Sequence, residues 1–286
     1  MKTKRIARRS VADRPRLIVQ LVFFALVLAI AINHALAELG RDLPWLSSAS
    51  IHGVCPFGGV VTLWQFFTTG TLVQKIHEAT FVLLAAVLAL SVAFGPVFCG
   101  WVCPLGTAQE WVSRLGRKIF GRRHNTFVPR AVDRALRYLR YVVLAWVVYM
   151  TAATGTLIFE AWDPYYTMFN LWSDELALSG VVILALVLVL SLFVERPFCK
   201  YACPFGAALG LSNLVRVFGI RRNKATCINC SACDRACPMN IAISGAGTVR
   251  DHQCISCLKC TSEQACPVKS TVELRVGRYQ ARGGTA

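Results

Sequence analysis

Eight cysteines in the last fifth of the chain repeat one pattern twice: Cys227, Cys230, Cys233 and Cys237 before Pro238, then Cys254, Cys257, Cys260 and Cys266 before Pro267. A Cys-x-x-Cys-x-x-Cys run wraps a short loop so that three thiolates reach three irons of one [4Fe-4S] cube, and the fourth ligand comes from elsewhere. In the two-cluster bacterial arrangement the remote Cys-Pro of each half ligates the other cluster, and the proline keeps the chain from continuing as helix behind it. On this pattern Cys227, Cys230, Cys233 and Cys266 are expected to hold one cluster, and Cys254, Cys257, Cys260 and Cys237 the other. Five residues rather than three separate Cys260 from Cys266, which lengthens a loop without removing a ligand. Paired zinc sites would favour two separated Cys-x-x-Cys knuckles over a triple run ending in Cys-Pro.

The segment from about Lys224 to Glu273 resembles a bacterial-type two-cluster ferredoxin domain. Ahead of it the composition is that of a chain in lipid: 55% of the 286 residues are hydrophobic and only 16% charged. Windows of about 20 residues, enough to cross a hydrocarbon core, pick out four spans: Leu17 to Ala37, Ala79 to Phe98, Leu139 to Phe159, and Leu176 to Val194. The first is too long and unsuitably flanked for a cleavable signal peptide.

Charge orients these spans. Lys2, Lys4, Arg5, Arg8, Arg9, Arg14 and Arg16 precede the first, and Arg114, Arg117, Lys118, Arg122, Arg123, Arg130, Arg134 and Arg137 lie between the second and third. Both stretches are expected on the cytoplasmic side. The first outer loop has only Arg41 and Lys75 as full cations, and the second carries Glu160, Asp163, Asp174 and Glu175. Four crossings then return the C-terminus to the cytoplasm, where disulfides are disfavoured. The net charge of +16 is thus accounted for by topology and anionic lipid, and no recognition motif accompanies it to suggest nucleic acid.

A second repeat lies inside the apolar region. Phe98-Cys99-Gly100-Trp101-Val102-Cys103-Pro104 follows the second span, and Phe198-Cys199-Lys200-Tyr201-Ala202-Cys203-Pro204 follows the fourth. The outer loops echo each other faintly, in Cys55-Pro56-Phe57 and Asp163-Pro164-Tyr165. Two cysteines four apart share a helix face, so Cys99, Cys103, Cys199 and Cys203 could converge at the cytoplasmic face. A redox-active thiol set, a metal or cluster site, and an electron relay are all open readings, beside plain packing of small apolar thiols. Cys55 is a weaker candidate, in a turn rich in glycine and proline. His34, His52 and His77 fall toward the outer side, where an ionisable group could accept quinol protons or a histidine pair could hold haem.

The whole pattern resembles the membrane polyferredoxins related to the quinol dehydrogenase subunit of periplasmic nitrate reductase systems, and the membrane core of the nitrous-oxide reductase accessory protein. The resemblance implies an α-helical integral membrane protein of the bacterial inner membrane, with four transmembrane helices in two repeated hairpins and a C-terminal α+β two-cluster ferredoxin domain. Its divisions are a basic N-terminus (1–16), the transmembrane domain (17–215) and the cluster domain with its tail (216–286). It implies electron transfer between the quinone pool, or a periplasmic redox partner, and two cytoplasmic-side [4Fe-4S] clusters, as an oxidoreductase component of quinol dehydrogenase type. Some relatives carry a flavin-binding segment. Here Ser244-Gly245-Ala246-Gly247-Thr248 echoes it only in part, so a flavin would come from another polypeptide. The alternative is a maturation factor that supplies electrons for copper or disulfide reduction in another enzyme, copper(I) favouring soft thiolates.

Overall fold

The computed structural model describes residues 13–38, 78–154, 158–171 and 177–276. Cys55, His52 and His77, with the His34 side chain, lie outside the described residues.

Helix α1 (Asp13–Glu38) contains the apolar stretch Arg14–Asn33, with a mean hydropathy of 2.4. Its large side chains face outward, with Ile18, Leu21, Val22 and Leu26 exposed, while Arg16, Gln20 and Asn33 point into the protein. A water-soluble helix buries its apolar face, whereas this one leaves much of its apolar surface exposed and buries Val27, Ile30 and Ala31 beside its polar residues. Among the described residues it is the one helix long and apolar enough to cross a bilayer.

Helices also occupy the other three expected spans, but they are shorter: α2 (Glu78–Phe94), α5 (Leu139–Thr154) and α7 (Leu178–Ser191). The second span was expected to run to Phe98. It ends at Phe94 because Gly95 takes a left-handed φ of 84° and Pro96 follows, a pairing that halts a helix. Helix α7 likewise stops at Ser191, short of Val194.

Each Cys-x-x-x-Cys-Pro phrase forms a short turn followed by a longer helix. In the first repeat a π-helical turn, Phe98–Val102, leads into α3 (Pro104–Phe120). The helix α4 (Arg130–Leu136) connects α3 to α5, and α6 (Pro164–Phe169) precedes α7, with Asp163 capping it through the Tyr165 N–H at 3.0 Å. In the second repeat α8 (Pro197–Tyr201) leads into α9 (Pro204–Val215). Proline begins both α3 and α9, where its missing N–H costs nothing. The repeats are exchanged in space, since α3 packs on α7 and α9 packs on α2. Each post-cysteine helix thereby lies on the other repeat's apolar helix, which draws the two cysteine turns together.

The C-terminal unit is a three-stranded antiparallel sheet in the order β2-β1-β3, from β1 (Gly219–Arg222), β2 (Thr248–Val249) and β3 (Val272–Arg275). The central β1 pairs Ile220 with Val249 on one side and with Leu274 on the other. Ile220, Met239, Ile241, Ile243, Val249, Ile255 and Val272 form its core together with Cys233, Cys237, Cys254 and Cys260. A core this small leans on its cysteines, which is the composition expected where clusters replace apolar mass.

Candidate iron-sulfur centres

The two cysteine loops of the C-terminal unit share one backbone conformation. Asn229 and Ser256, each two residues after the first cysteine of its run, have φ of 54° and 48°, and Ser231 and Leu258, four residues after it, have 50° and 56°. Left-handed conformations at non-glycine residues are uncommon, and alternation of this kind turns successive backbone N–H groups into one concavity that favours anions. Two such cradles at matching positions are what a pair of anionic clusters requires. Short helices carry the third cysteine of each run: α10 (Ala232–Ala236) holds Cys233, and a 3₁₀ turn, Lys259–Thr261, holds Cys260. The two pack against each other.

Cys237 lies beside the second loop. It lines one small cavity with Cys254, Cys257 and Cys260, walled by Ile220, Met239, Ile243 and Val249. Burial, then the neighbouring Cys257, push the Cys237 thiol up, a cost that ligation of a cationic core removes. The donor set, its enclosure and its apolar wall fit a [4Fe-4S] group.

The other four cysteines lie nearer solvent. Cys230 is exposed, Cys227 and Cys266 half-buried, and Cys233 buried. The Asn229 backbone N–H, then the Arg222 guanidinium, pull the Cys227 thiol down, and the Arg222 Nη1 donates to its sulfur at 3.2 Å. Burial, followed by Asp234, pushes Cys233 up to about 11. Asp234 is itself held by Ser244, whose N–H donates to it at 2.7 Å, so the Ser244 segment is a turn that braces the first cysteine loop.

The Cys254–Cys257 loop is seated on the first repeat. The Trp101 indole donates to the Ser256 carbonyl at 3.1 Å, the Ser256 hydroxyl to the Phe94 carbonyl at 2.7 Å, and Asn213 to the Cys254 carbonyl at 2.8 Å. A Cβ on Gly100 would stand 2.3 Å from the Ile255 carbonyl oxygen, so only glycine admits the loop this closely. The equivalent position in the second repeat is Lys200, whose carbonyl accepts from the buried Gln253 at 3.2 Å. Arg216, at the end of α9, donates to the Cys254 sulfur at 3.5 Å.

Two buried charge networks lock these parts, and the sequence reading did not single them out. Glu110, 1% exposed, pairs with Arg16 at 2.5 Å, Arg196 at 2.8 Å and Lys259 at 3.1 Å. Lys259 also reaches Glu195 at 2.8 Å. One carboxylate thereby ties α1, both repeats and the second cysteine loop together. Asp133 in α4 does the same on the other side, pairing with Lys200 at 2.8 Å and Arg137 at 2.5 Å. Charged residues beside apolar spans are expensive and rarely idle, which is the signal that could have flagged Glu110 and Arg196.

The sequence brings Cys99, Cys103, Cys199 and Cys203 to one place. Cys203 packs in one apolar cluster with Cys103 and Phe198, and in another with Cys99 and Phe98. Phe98 meets Phe205 edge-on at 5.6 Å across the repeats. Burial pushes all four thiols up, and in Cys99, Cys103 and Cys203 the charges of neighbouring cysteines push further. Among the described residues no three His, Cys, Asp or Glu side chains close around a single metal ion.

Comparison with known proteins follows the same lines. A family profile described as "4Fe-4S binding domain" matches twice, over residues 76–123 and 176–223, which are the two repeats. YccM of Escherichia coli strain K12, named provisionally for electron transport, is 32% identical over 233 residues, 78% of this chain and 62% of its own length. The uncharacterized protein MJ0750 of Methanocaldococcus jannaschii is 33% identical over 209 residues, 73% of this chain and 82% of its own. Ferredoxin-type protein NapH of Haemophilus influenzae is 30% identical over 200 residues, 65% and 66% of the two chains. The chain belongs to the NapH-like polyferredoxin family. It spans less than two thirds of the length of YccM. No solved structure matches it. Both profile matches end before Cys227 and contain the two Cys-x-x-x-Cys-Pro phrases.

Proposed function

We propose that this chain is a multi-pass inner-membrane electron-transfer protein that links the quinol pool to two [4Fe-4S] clusters on the cytoplasmic side, as part of a respiratory or reductase chain. The observation that carries the reading is the cavity lined by Cys237, Cys254, Cys257 and Cys260, which takes ligands from both halves of the double motif. When bound, each cluster supplies one-electron redox chemistry over a wide range of potentials. A quinol gives up two electrons and two protons, so a pair of one-electron centres matches its stoichiometry.

The residues divide this work. Cys227, Cys230, Cys233 and Cys266 are assigned to the first cluster, and Cys254, Cys257, Cys260 and Cys237 to the second. The apolar wall of Met239, Ile241, Ile243 and Ile255 keeps water from the second site. Exposed Cys230 puts the first site within reach of a soluble redox partner, while the Trp101 and Gly100 contacts seat the second against the membrane repeats. The outward apolar face of α1 and the cation-rich stretch from Arg114 to Arg137 support a membrane setting with that stretch cytoplasmic.

The test is anaerobic titration of the detergent-purified chain with a reduced quinol analogue, followed by the visible sulfur-to-iron charge-transfer band. Bleaching by quinol that is diminished in Cys257→Ser supports the reading. A band unaffected by quinol yet bleached by dithionite removes quinol as the donor.

A further inference from the structure

The chain between α3 and α5 and the C-terminal unit border a cavity of about 1120 Å³ that the function just proposed leaves unused. We propose that this cavity binds a phosphate group, carried either by a soluble phosphorylated compound or by the headgroup of an anionic phospholipid. The site stands apart from the cluster reading, because no cysteine lines it.

The argument begins with charge. Five arginines line the cavity: Arg117 from α3, Arg130, Arg134 and Arg137 from α4 and its end, and Arg235 from α10. Four carboxylates line it as well, and each is already engaged. Asp133 pairs with Lys200 at 2.8 Å and Arg137 at 2.5 Å, and Glu195 with Lys259 at 2.8 Å and Arg117 at 2.5 Å. Asp234 accepts the Ser244 N–H at 2.7 Å, and Asp251 the Gln253 N–H at 2.8 Å. These pairings consume Arg117 and Arg137. The guanidiniums of Arg130, Arg134 and Arg235 have no ion-pair or hydrogen-bond partner among the described residues. Three uncompensated cations therefore face one enclosed volume, where their mutual repulsion is relieved by an anion.

Geometry narrows the anion. Arg130 and Arg134 are four apart on α4, a spacing that sets them side by side on one face, and Arg235 comes from a different wall. Guanidinium forks arriving from two walls suit a phosphate, whose oxygens point in several directions, better than a planar carboxylate. A buried group points the same way. His124, only 6% exposed, lines this cavity, and its Nε2 has no hydrogen-bond partner among the described residues. An unmade hydrogen bond at a buried nitrogen is costly, and a phosphate oxygen can complete it.

The walls of the cavity are already joined by neutral contacts. The Asn125 amide donates to the Asn240 side-chain oxygen at 2.7 Å, and the Asn240 amide to the Asn125 carbonyl at 3.0 Å. A phosphate held between Arg134 and Arg235 adds a charged tie beside that clasp. Ile241 lines both this cavity and the one formed by Cys237, Cys254, Cys257 and Cys260, so the bound anion lies one side chain from those cysteines.

The experiment is isothermal titration of the full-length, detergent-purified chain with inorganic phosphate at fixed ionic strength. Beside it stand the triple variant Arg130→Gln, Arg134→Gln, Arg235→Gln and a control of equal charge, Lys118→Gln, Lys224→Gln, Arg250→Gln, whose positions do not line the cavity. Saturable binding to the native and control proteins, weakened about tenfold or more in the triple variant, is the expected result. Equal binding by all three proteins, no binding by the native one, or equal binding of acetate overturns the proposal. Nanodiscs separate the two sources. Phosphate binding that persists in phosphatidylcholine but is lost when phosphatidylglycerol is added assigns the site to a lipid headgroup, whereas binding unchanged by either lipid assigns it to a soluble compound. Should the triple variant fail to fold, phenylglyoxal modification of the native chain decides: shielding of Arg130, Arg134 and Arg235 by phosphate supports the site, and modification unaffected by phosphate refutes it.

Discussion

The Trp101 indole N–H donates to the backbone carbonyl of Ser256 at 3.1 Å, joining the first Cys-x-x-x-Cys-Pro repeat to the middle of the second cysteine loop of the C-terminal unit. Trp101 lies two residues from Cys99 and Ser256 one residue from Cys257. The cysteines of the first repeat and of the second cysteine loop are therefore held by one hydrogen-bonded seam, which Gly100 allows to close and Lys259 and Glu110 lock.

Gly100→Ala should open that seam. Its new methyl would meet the Ile255 carbonyl oxygen at 2.3 Å, whereas a methyl on Gly206 meets nothing closer than 3.5 Å. Overpacking of this kind costs about 1–3 kcal/mol. Thermal unfolding in detergent is expected to show a clear loss for Gly100→Ala and little change for Gly206→Ala.

Glu110→Gln leaves Arg196 and Arg16 buried without their carboxylate. Removing one partner of a buried ionic group costs about 3–5 kcal/mol, so the variant should be severely destabilised, as differential scanning fluorimetry would report. Burial alone would raise the Glu110 pKa, but Lys259, Arg196 and Arg16 outweigh it and hold the carboxyl well below 4.5. A depressed carboxylate contributes stability that is fully present above the unfolded value and is lost as pH falls through the folded one. The gap between native protein and variant should stay constant from neutral pH down to about 5 and narrow below that.

Arg222→Ala removes the guanidinium that donates to the Cys227 sulfur at 3.2 Å. Donors to ligand sulfur favour the reduced, more negative cluster. The potential of the first cluster should fall by on the order of tens of mV, since 1.4 kcal/mol corresponds to about 59 mV for one electron. Spectroelectrochemical titration measures it, and Arg216→Ala should act similarly on the second cluster through Cys254.

Cys230→Ser and Cys257→Ser should each remove or alter one ferredoxin cluster and leave the other's signal in place, because the proposed assignment puts the two cysteines in different sets. If Cys237→Ser perturbs the same signal as Cys257→Ser, the crossover assignment holds. If it perturbs the signal lost in Cys230→Ser, the two sets must be redrawn.

The ferredoxin loops were legible because cluster ligation is local: a spacing of three fixes which thiols share a loop, and the backbone of Asn229 and Ser256 follows from it. The internal repeat was equally plain, since a phrase recurring after 100 residues survives any fold. What joins the parts was not legible. Arg196 and Glu110 are 86 residues apart, and nothing in either neighbourhood announces the other. The shortness of α2 was written in Gly95-Pro96, a stop that hydropathy averaging passes over, because neither residue is charged. That Cys99, Cys103, Cys199 and Cys203 could converge was legible in the repeat, but the packing of α3 on α7 and of α9 on α2 that brings the two turns together is encoded by no local pattern.

The central claim is tested most directly by low-temperature EPR of the anaerobically purified protein, before and after a reduced quinol analogue, with dithionite as the full-reduction control. Reduced [4Fe-4S] signals that appear on quinol addition are the predicted result. Signals that appear with dithionite alone would contradict it, placing the clusters too low for quinol and reversing the direction of electron flow.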